Sequence, residues 1–123
     1  MTLDTVPLKS QISFGSFEAV DLRVARCVSA PIASGTRAPC RVLTLSLGHL
    51  GPRTSVGQLA LVDERDLVGR NLVVCVNFAP RQMGRYTSEV LVLGAPHPDG
   101  PPDQAQATPL YVSDAARPGD CVF

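Results

Sequence analysis

The stretch NFAPRQMGRYTSEVLVLG, from Asn77 to Gly94, sets an amide, two guanidinium groups, hydroxyls and a carboxylate between two apolar runs. Asn77, Arg81, Ser88 and Glu89 are the residues there with chemistry to offer. An amide supplies the paired donor and acceptor that base edges require, while Arg and Ser serve phosphate and sugar. The same groups can instead satisfy stray backbone atoms at the end of a sheet. Gln58, inside VGQLAL, carries the same two readings. None of this is the equipment of bond breaking: the chain has no GxSxG elbow, no HExxH, no phosphate loop ending in Gly-Lys-Ser/Thr and no GxGxxG. His49 and His97 stand in loops without a carboxylate or cysteine close in sequence, and read as solvated side chains. Asp63, Glu64 and Asp66 read as charges at the start of a helix rather than as an acid and base pair. Catalysis is not expected.

The elements that must carry these residues belong to one domain. A chain of 123 residues, 45% hydrophobic and 18% charged, can bury a single core but not two. Cys27, Cys40, Cys75 and Cys121 form no CxxC pair and have no histidine at ligand spacing, so neither a metal nor another cofactor is expected. Their even number would allow two disulfides, but Cys27 and Cys75 lie in apolar strand-like runs and read as small core hydrophobes. The start, MTLDTVPLKS, lacks a cationic segment followed by an apolar one, and the longest apolar run is LVVCV at 72–76. A soluble, cytoplasmic protein with no membrane contact is the expectation.

Formal net charge is zero, which excludes a grip on nucleic acid by bulk electrostatics alone. The charge is unevenly spread, however. Between Arg23 and Arg85 nine arginines stand against Asp63, Glu64 and Asp66, and after that five acids face Arg117 alone. A local basic surface built only from arginine, which pairs with phosphate and stacks on bases, is compatible with overall neutrality.

Period-two alternation over FEAVDLRVARCV predicts a strand with Val20, Leu22 and Val24 inward and Asp21 and Arg23 outward. SAPIASGTRAPC reads as a loop bearing Arg37. RVLTLSLG predicts a second strand with Leu43, Leu45 and Leu47 on one face, and GHLGPRTS reads as turn chemistry. SVGQLALV is a weaker third strand in which Gly57 marks a bulge or a close approach. DERDLVGR predicts a helix of one or two turns, with Asp63 as N-cap and Gly69 closing it. NLVVCVNF and SEVLVLG are strands apolar on both faces, which implies closure into a barrel, a partner subunit, or both. A five-proline loop follows, then LYVSD and CVF as short strands joined by a turn at ARPGD. Five strands with a short helix between the third and fourth, plus a small C-terminal appendage, is the order of an all-β OB-fold barrel.

FEAVDLRVARCVSA, TSVGQL and DLVGRNLVVCVNFAPRQMGRYTSEVLVLG together resemble the CsaA family of small stand-alone tRNA-binding domains. The family is related to the C-terminal tRNA-binding domain of methionyl-tRNA synthetase. The resemblance covers residues 13–123, leaving 1–12 as an N-terminal extension. It implies an OB-fold homodimer whose ligand is tRNA or another structured RNA, with an export-related chaperone role for unfolded or precursor proteins as the alternative. Asp21 and Arg23 match the family's Asp-x-Arg-Val element, and Ser55 and Gln58 its Ser-rich segment ending in Gln. Asn77, Pro80, Arg81, Gly84, Ser88 and Glu89 match the signature that closes the site. Arg23, Arg37, Arg41, Ser55, Gln58, Asn77, Arg81 and Ser88 are thereby expected to contact RNA, with Asn77, Arg81 and Ser88 lining one groove. Asp21 and Glu89 are expected to organise it, since a carboxylate repels phosphate unless a donor holds it. The chain departs from the family in having Ala25 where Gly is usual and in keeping only Arg37 and Arg41 basic across RAPCRVLTLSLG. Fewer cations imply weaker binding and a shallower salt dependence.

Overall fold

The computed structural model describes residues 5–102 and 105–123. A five-residue helix, α1 (Phe14–Glu18), precedes the first strand where the sequence predicts only strand. Ser13, in extended backbone, caps it by accepting the Ser16 N–H at 3.2 Å, and none of its residues is buried. Eleven strands follow among the described residues, and the architecture is mostly β.

Strand β1 (Leu22–Ser29) forms the centre of the main sheet. On one side it runs antiparallel to β4 (Asn71–Cys75), from Leu22 opposite Cys75 to Arg26 opposite Asn71. On the other side it pairs β2 (Arg41–Ser46) through its second half and β11 (Cys121–Val122) through its first. Being flanked throughout, β1 does not keep the half-buried alternation: Val24 and Ala25 are both buried, and Val20 lies before the strand and is exposed.

In β2 the period-two pattern holds. Leu43, Leu45 and Leu47 are 0–1% exposed, and each such burial stabilises by about 1.5–3 kcal/mol. A 3₁₀ turn at Gly48–Leu50 returns the chain into β3 (Pro52–Gly57), which pairs β2 from Arg41 opposite Gly57 to Ser46 opposite Pro52. Part of the segment read as turn is therefore strand. Gly48 is required at that turn: its φ is +56°, and a Cβ there would sit 2.3 Å from the Pro118 carbonyl oxygen.

The expected helix between the third and fourth strands is a single 3₁₀ turn, Glu64–Asp66. Asp63 caps it by accepting the Arg65 N–H at 3.0 Å, and Gly69 has a φ of +82°. Strand β4 is buried at all five residues. Its burial is achieved within the chain: beyond β1, its outer edge is covered first by β10 (Tyr111–Val112) and then by β7 (Leu91–Val92). The apolar character of both its faces is thus no argument for a partner subunit.

SEVLVLG is not one strand. The polar corner before it folds into a hairpin, β5 (Arg81–Met83) with β6 (Tyr86–Ser88), then come β7 and β8 (Gly94–Pro96), which pairs β9 (Ala107–Pro109). The Pro-rich segment is accordingly flanked by a ladder rather than irregular throughout. The main sheet runs β10-β4-β1-β2-β3 with β7 and β11 attached, and no ladder closes it into a five-stranded barrel. The gap between β3 and β7 is instead spanned by four hydrogen bonds. Thr54 and Glu89 exchange two, the Glu89 N–H donating to the Thr54 carbonyl at 2.8 Å and the Thr54 N–H donating to Glu89 Oε1 at 2.9 Å. Val56 N–H donates to Ser88 Oγ at 3.0 Å, and Ser55 Oγ donates to the Val90 carbonyl at 2.9 Å.

Candidate nucleic-acid interface

Those four bonds shape the floor of a cleft of about 770 Å³ between β3, the β5–β6 hairpin and the β7–β8 segment. Phe78, Met83, Val90, Leu91 and Leu93 supply apolar lining, while Gln58, Arg81, Ser88 and Glu89 are its polar lining residues. Arg81 is exposed at the start of β5, and no carboxylate lies within ion-pair distance of it among the described residues. Glu89 is held by the Thr54 N–H, the arrangement that lets a carboxylate line the same cleft as Arg81 without remaining bare.

A second cleft, of about 600 Å³, lies between α1, the start of β1 and the chain end beyond β11. Asn77 lines this one, not the first. Its Oδ1 accepts the Asp21 N–H at 3.0 Å and its Nδ2 donates to the Ala19 carbonyl at 2.7 Å, so the amide fastens the end of β4 to the α1–β1 junction. Arg23 lines the same cleft with Nε on Asp21 Oδ1 at 2.7 Å and Nη1 on the Gly119 carbonyl at 3.1 Å. The Asp21 carboxylate pushes the Arg23 pKa further up, chiefly through that hydrogen bond. Phe14 is 72% exposed, Phe17 and Val20 are both 43% exposed, and Phe123 is fully so; the first two rings meet at 6.0 Å between centroids.

The expected single groove is therefore two clefts, with Asn77 in one and Arg81 and Ser88 in the other. Several of the expected contacts are buried. Arg41, expected to face RNA, shares the inward face of Leu43 and Leu45. Its Nε donates to the Leu59 and Val62 carbonyls at 3.2 and 3.0 Å and its Nη1 to the Ala30 carbonyl at 2.8 Å. A guanidinium that is 9% exposed and gives Nε and Nη1 to backbone carbonyls has little left to offer phosphate, which argues against the expected RNA-facing role of Arg41. Ser55 is 1% exposed and Ser88 9%, both with hydroxyls engaged by backbone, which makes them shapers of the floor. Arg37 is exposed in the loop before β2.

Phe78 and Met83 line the cleft and were given no role in the sequence reading, and Tyr86, on the hairpin beside it, was passed over as well. Phe78 was read as the last residue of the strand NLVVCVNF, but β4 ends at Cys75 and leaves the ring exposed. The four thiols are free, with only Cys121 exposed. Burial pushes the Cys27 thiol up to about 11 and raises that of Cys40, so both stay protonated and unreactive near neutrality. No group of metal-ligating side chains occurs among the described residues, and none of their helices is long and apolar enough to cross a membrane.

The fold and its clefts define a small, mostly β domain with two open, part-apolar recesses. No protein-family model matches the chain. It is 39% identical over 115 residues to a methionine–tRNA ligase of Thiobacillus denitrificans, covering 92% of this chain and 16% of the ligase. It superposes on the CsaA chaperone protein of Picrophilus torridus with a TM-score of 0.81 at 27% identity, over 92% of this chain and all of that one. The chaperone CsaA of Bacillus anthracis gives 0.79 at 29% identity, over 93% of this chain and all of that one. The resemblance read from the sequence stands: over nearly its whole length the chain is similar to CsaA proteins, and it is similar to a short part of a methionine–tRNA ligase.

Proposed function

We propose that this domain binds tRNA or another structured RNA without altering it, as a cytoplasmic homodimer, across the cleft between β3 and β7. The observation that carries the reading is Arg81, an exposed guanidinium with no carboxylate partner among the described residues, lining the same cleft as the exposed Phe78 ring and other apolar side chains. Unpaired bases stack on such surfaces while arginine holds the backbone. The similarity to a tRNA ligase over nearly the whole chain supports the same ligand class. The domain is read as residues 13–123, with 1–12 as an extension. It is read as an OB-type barrel in which β1 to β4 and β7 form the wall and side-chain bonds at Ser55, Ser88 and Glu89 replace the missing ladder. Fluorescence anisotropy with labelled, unfractionated tRNA at low and moderate salt tests the function. Binding that weakens steeply with salt is expected, and no binding at low salt refutes it.

A homodimer has a better motive in the second cleft than in β4. Phe14, Phe17, Val20 and Phe123 form an exposed apolar face around α1 that an isologous contact would cover. Light scattering should return twice the chain mass, and Phe17→Glu should return the chain mass. A second reading, capture of unfolded or precursor proteins, is favoured by the apolar lining of the first cleft and by the structural likeness to CsaA chaperone proteins. Suppression of client aggregation that persists in Arg81→Ala, with tRNA binding lost, would favour it.

A further inference from the structure

The β5–β6 hairpin does not stand free at its tip. Gly84, with a φ of +60°, turns so closely on the loop before β2 that a Cβ there would sit 3.1 Å from the Gly35 carbonyl oxygen. Beside this backbone contact the Tyr86 hydroxyl accepts the Ser34 N–H at 3.1 Å. The Arg85 guanidinium lies 5.3 Å from the Tyr86 ring centroid, and its Nη2 reaches Ser34 Oγ at 2.7 Å and the Tyr86 hydroxyl at 3.3 Å. Ring, hydroxyl and serine together hold a cation whose Nε and Nη1 make no hydrogen bond among the described residues. Neither does Arg85 meet a carboxylate there, although Asp21, Asp63 and Asp120 each hold an arginine elsewhere on the surface. A long side chain fixed in this way has already lost its rotamer freedom before a ligand arrives, which lowers the cost of using it. The hairpin that carries it also contributes Arg81 and Met83 to the cleft.

We propose that Arg85 contacts the backbone of the bound RNA at the outer end of this cleft, and that Tyr86 and Ser34 are positioning residues that act through it. The inference rests on the RNA reading above. Its test is a double-mutant cycle in the full chain, read by anisotropy with unfractionated tRNA across a salt series. Arg85→Ala should weaken binding severalfold and flatten the plot of log affinity against log salt by about 0.7–0.9, as one lost phosphate contact does. Tyr86→Phe keeps the ring and the charge and should weaken binding less. The double variant should bind no more weakly than Arg85→Ala alone, since Tyr86 acts only by holding Arg85. Arg85→Lys should keep the slope with reduced affinity, and thermal unfolding of each variant separates binding from folding. If the parent protein binds tRNA but Arg85→Ala leaves affinity and slope unchanged, the inference is wrong and the RNA reading survives. If the two substitutions are additive, Tyr86 does not work through Arg85. If the parent does not bind even at low salt, it is the RNA reading that fails.

Discussion

In the cleft beside β3, the buried polar side chains bond to backbone and Arg81 is left without a carboxylate among the described residues. In the cleft beside α1 the reverse holds: Arg23 is paired with Asp21, the Asn77 amide is tied to Ala19 and Asp21, and what remains exposed is aromatic. Both clefts draw on the residues that most resemble a recognition signature. The difference shows that side-chain type does not decide whether a donor is available to a ligand. Availability depends on whether the fold has orphaned backbone atoms nearby, which compete for the same donors at no entropic cost of association.

The sharpest test of that division is Arg41. Removing its guanidinium strands the buried Ala30 and Val62 carbonyls, while the Leu59 carbonyl keeps the Val62 N–H, so Arg41→Ala should cost about 2–4 kcal/mol in urea unfolding. Its folded fraction should keep full tRNA affinity. A stable Arg41→Ala protein that no longer binds would put Arg41 on the RNA side and erase the distinction. Asn77→Ala comes next. It loses two ties between the end of β4 and the α1–β1 junction, and about 1–2 kcal/mol of stability is expected, with tRNA affinity unchanged. Equal stability with lost binding would instead merge the two clefts into one groove.

How much of this was legible in the residues follows the same line. Wherever a strand buries one face, as in β2, alternation located the leucines correctly, and it also placed Arg41 on their face, a signal the charge of the side chain overrode. The Asp63 cap and Gly69 stop were readable because caps are local chemistry. The helix α1 was not, because its residues are all exposed and no apolar periodicity marks it. SEVLVLG misled because its residues serve three successive pairings, with β3 through side-chain bonds and one backbone bond, with β4 and with β9, and a run of similar residues carries no trace of changing partners. The site signature was legible as a sequence. Its division between two clefts was not, since that depends on contacts such as Asn77 to Ala19 that span 58 residues.

Arg81→Ala tests the available side of the comparison. The side chain is exposed and makes no ion pair, so stability should stay within about 0.5 kcal/mol of the parent. The salt slope of tRNA binding should nevertheless flatten by about 0.7–0.9. Arg23→Ala is the matched control: it removes a cation already paired with Asp21 and should change the slope little. A larger slope change at Arg23 than at Arg81 would reverse the assignment of the two clefts.

The smallest effect is a titration. Hydrogen bonds from the Ser34 hydroxyl and N–H, and then from Arg85, favour the phenolate of Tyr86 and lower its pKa from 10 to about 8. Because the folded value lies below the unfolded one, this group binds its proton less tightly when folded. Its contribution to stability is therefore fully present above the unfolded value near pH 10 and is lost as pH falls through about 8. Tyrosinate absorbance should rise in a step near pH 8 that Tyr86→Phe abolishes and Ser34→Ala shifts upward, and the rise in urea midpoint from pH 8 to 10 should be smaller in Tyr86→Phe. The same step surviving in Tyr86→Phe would mean that the hairpin tip is not fastened to the Ser34 loop. Arg85 would then be as unrestrained as any other surface arginine.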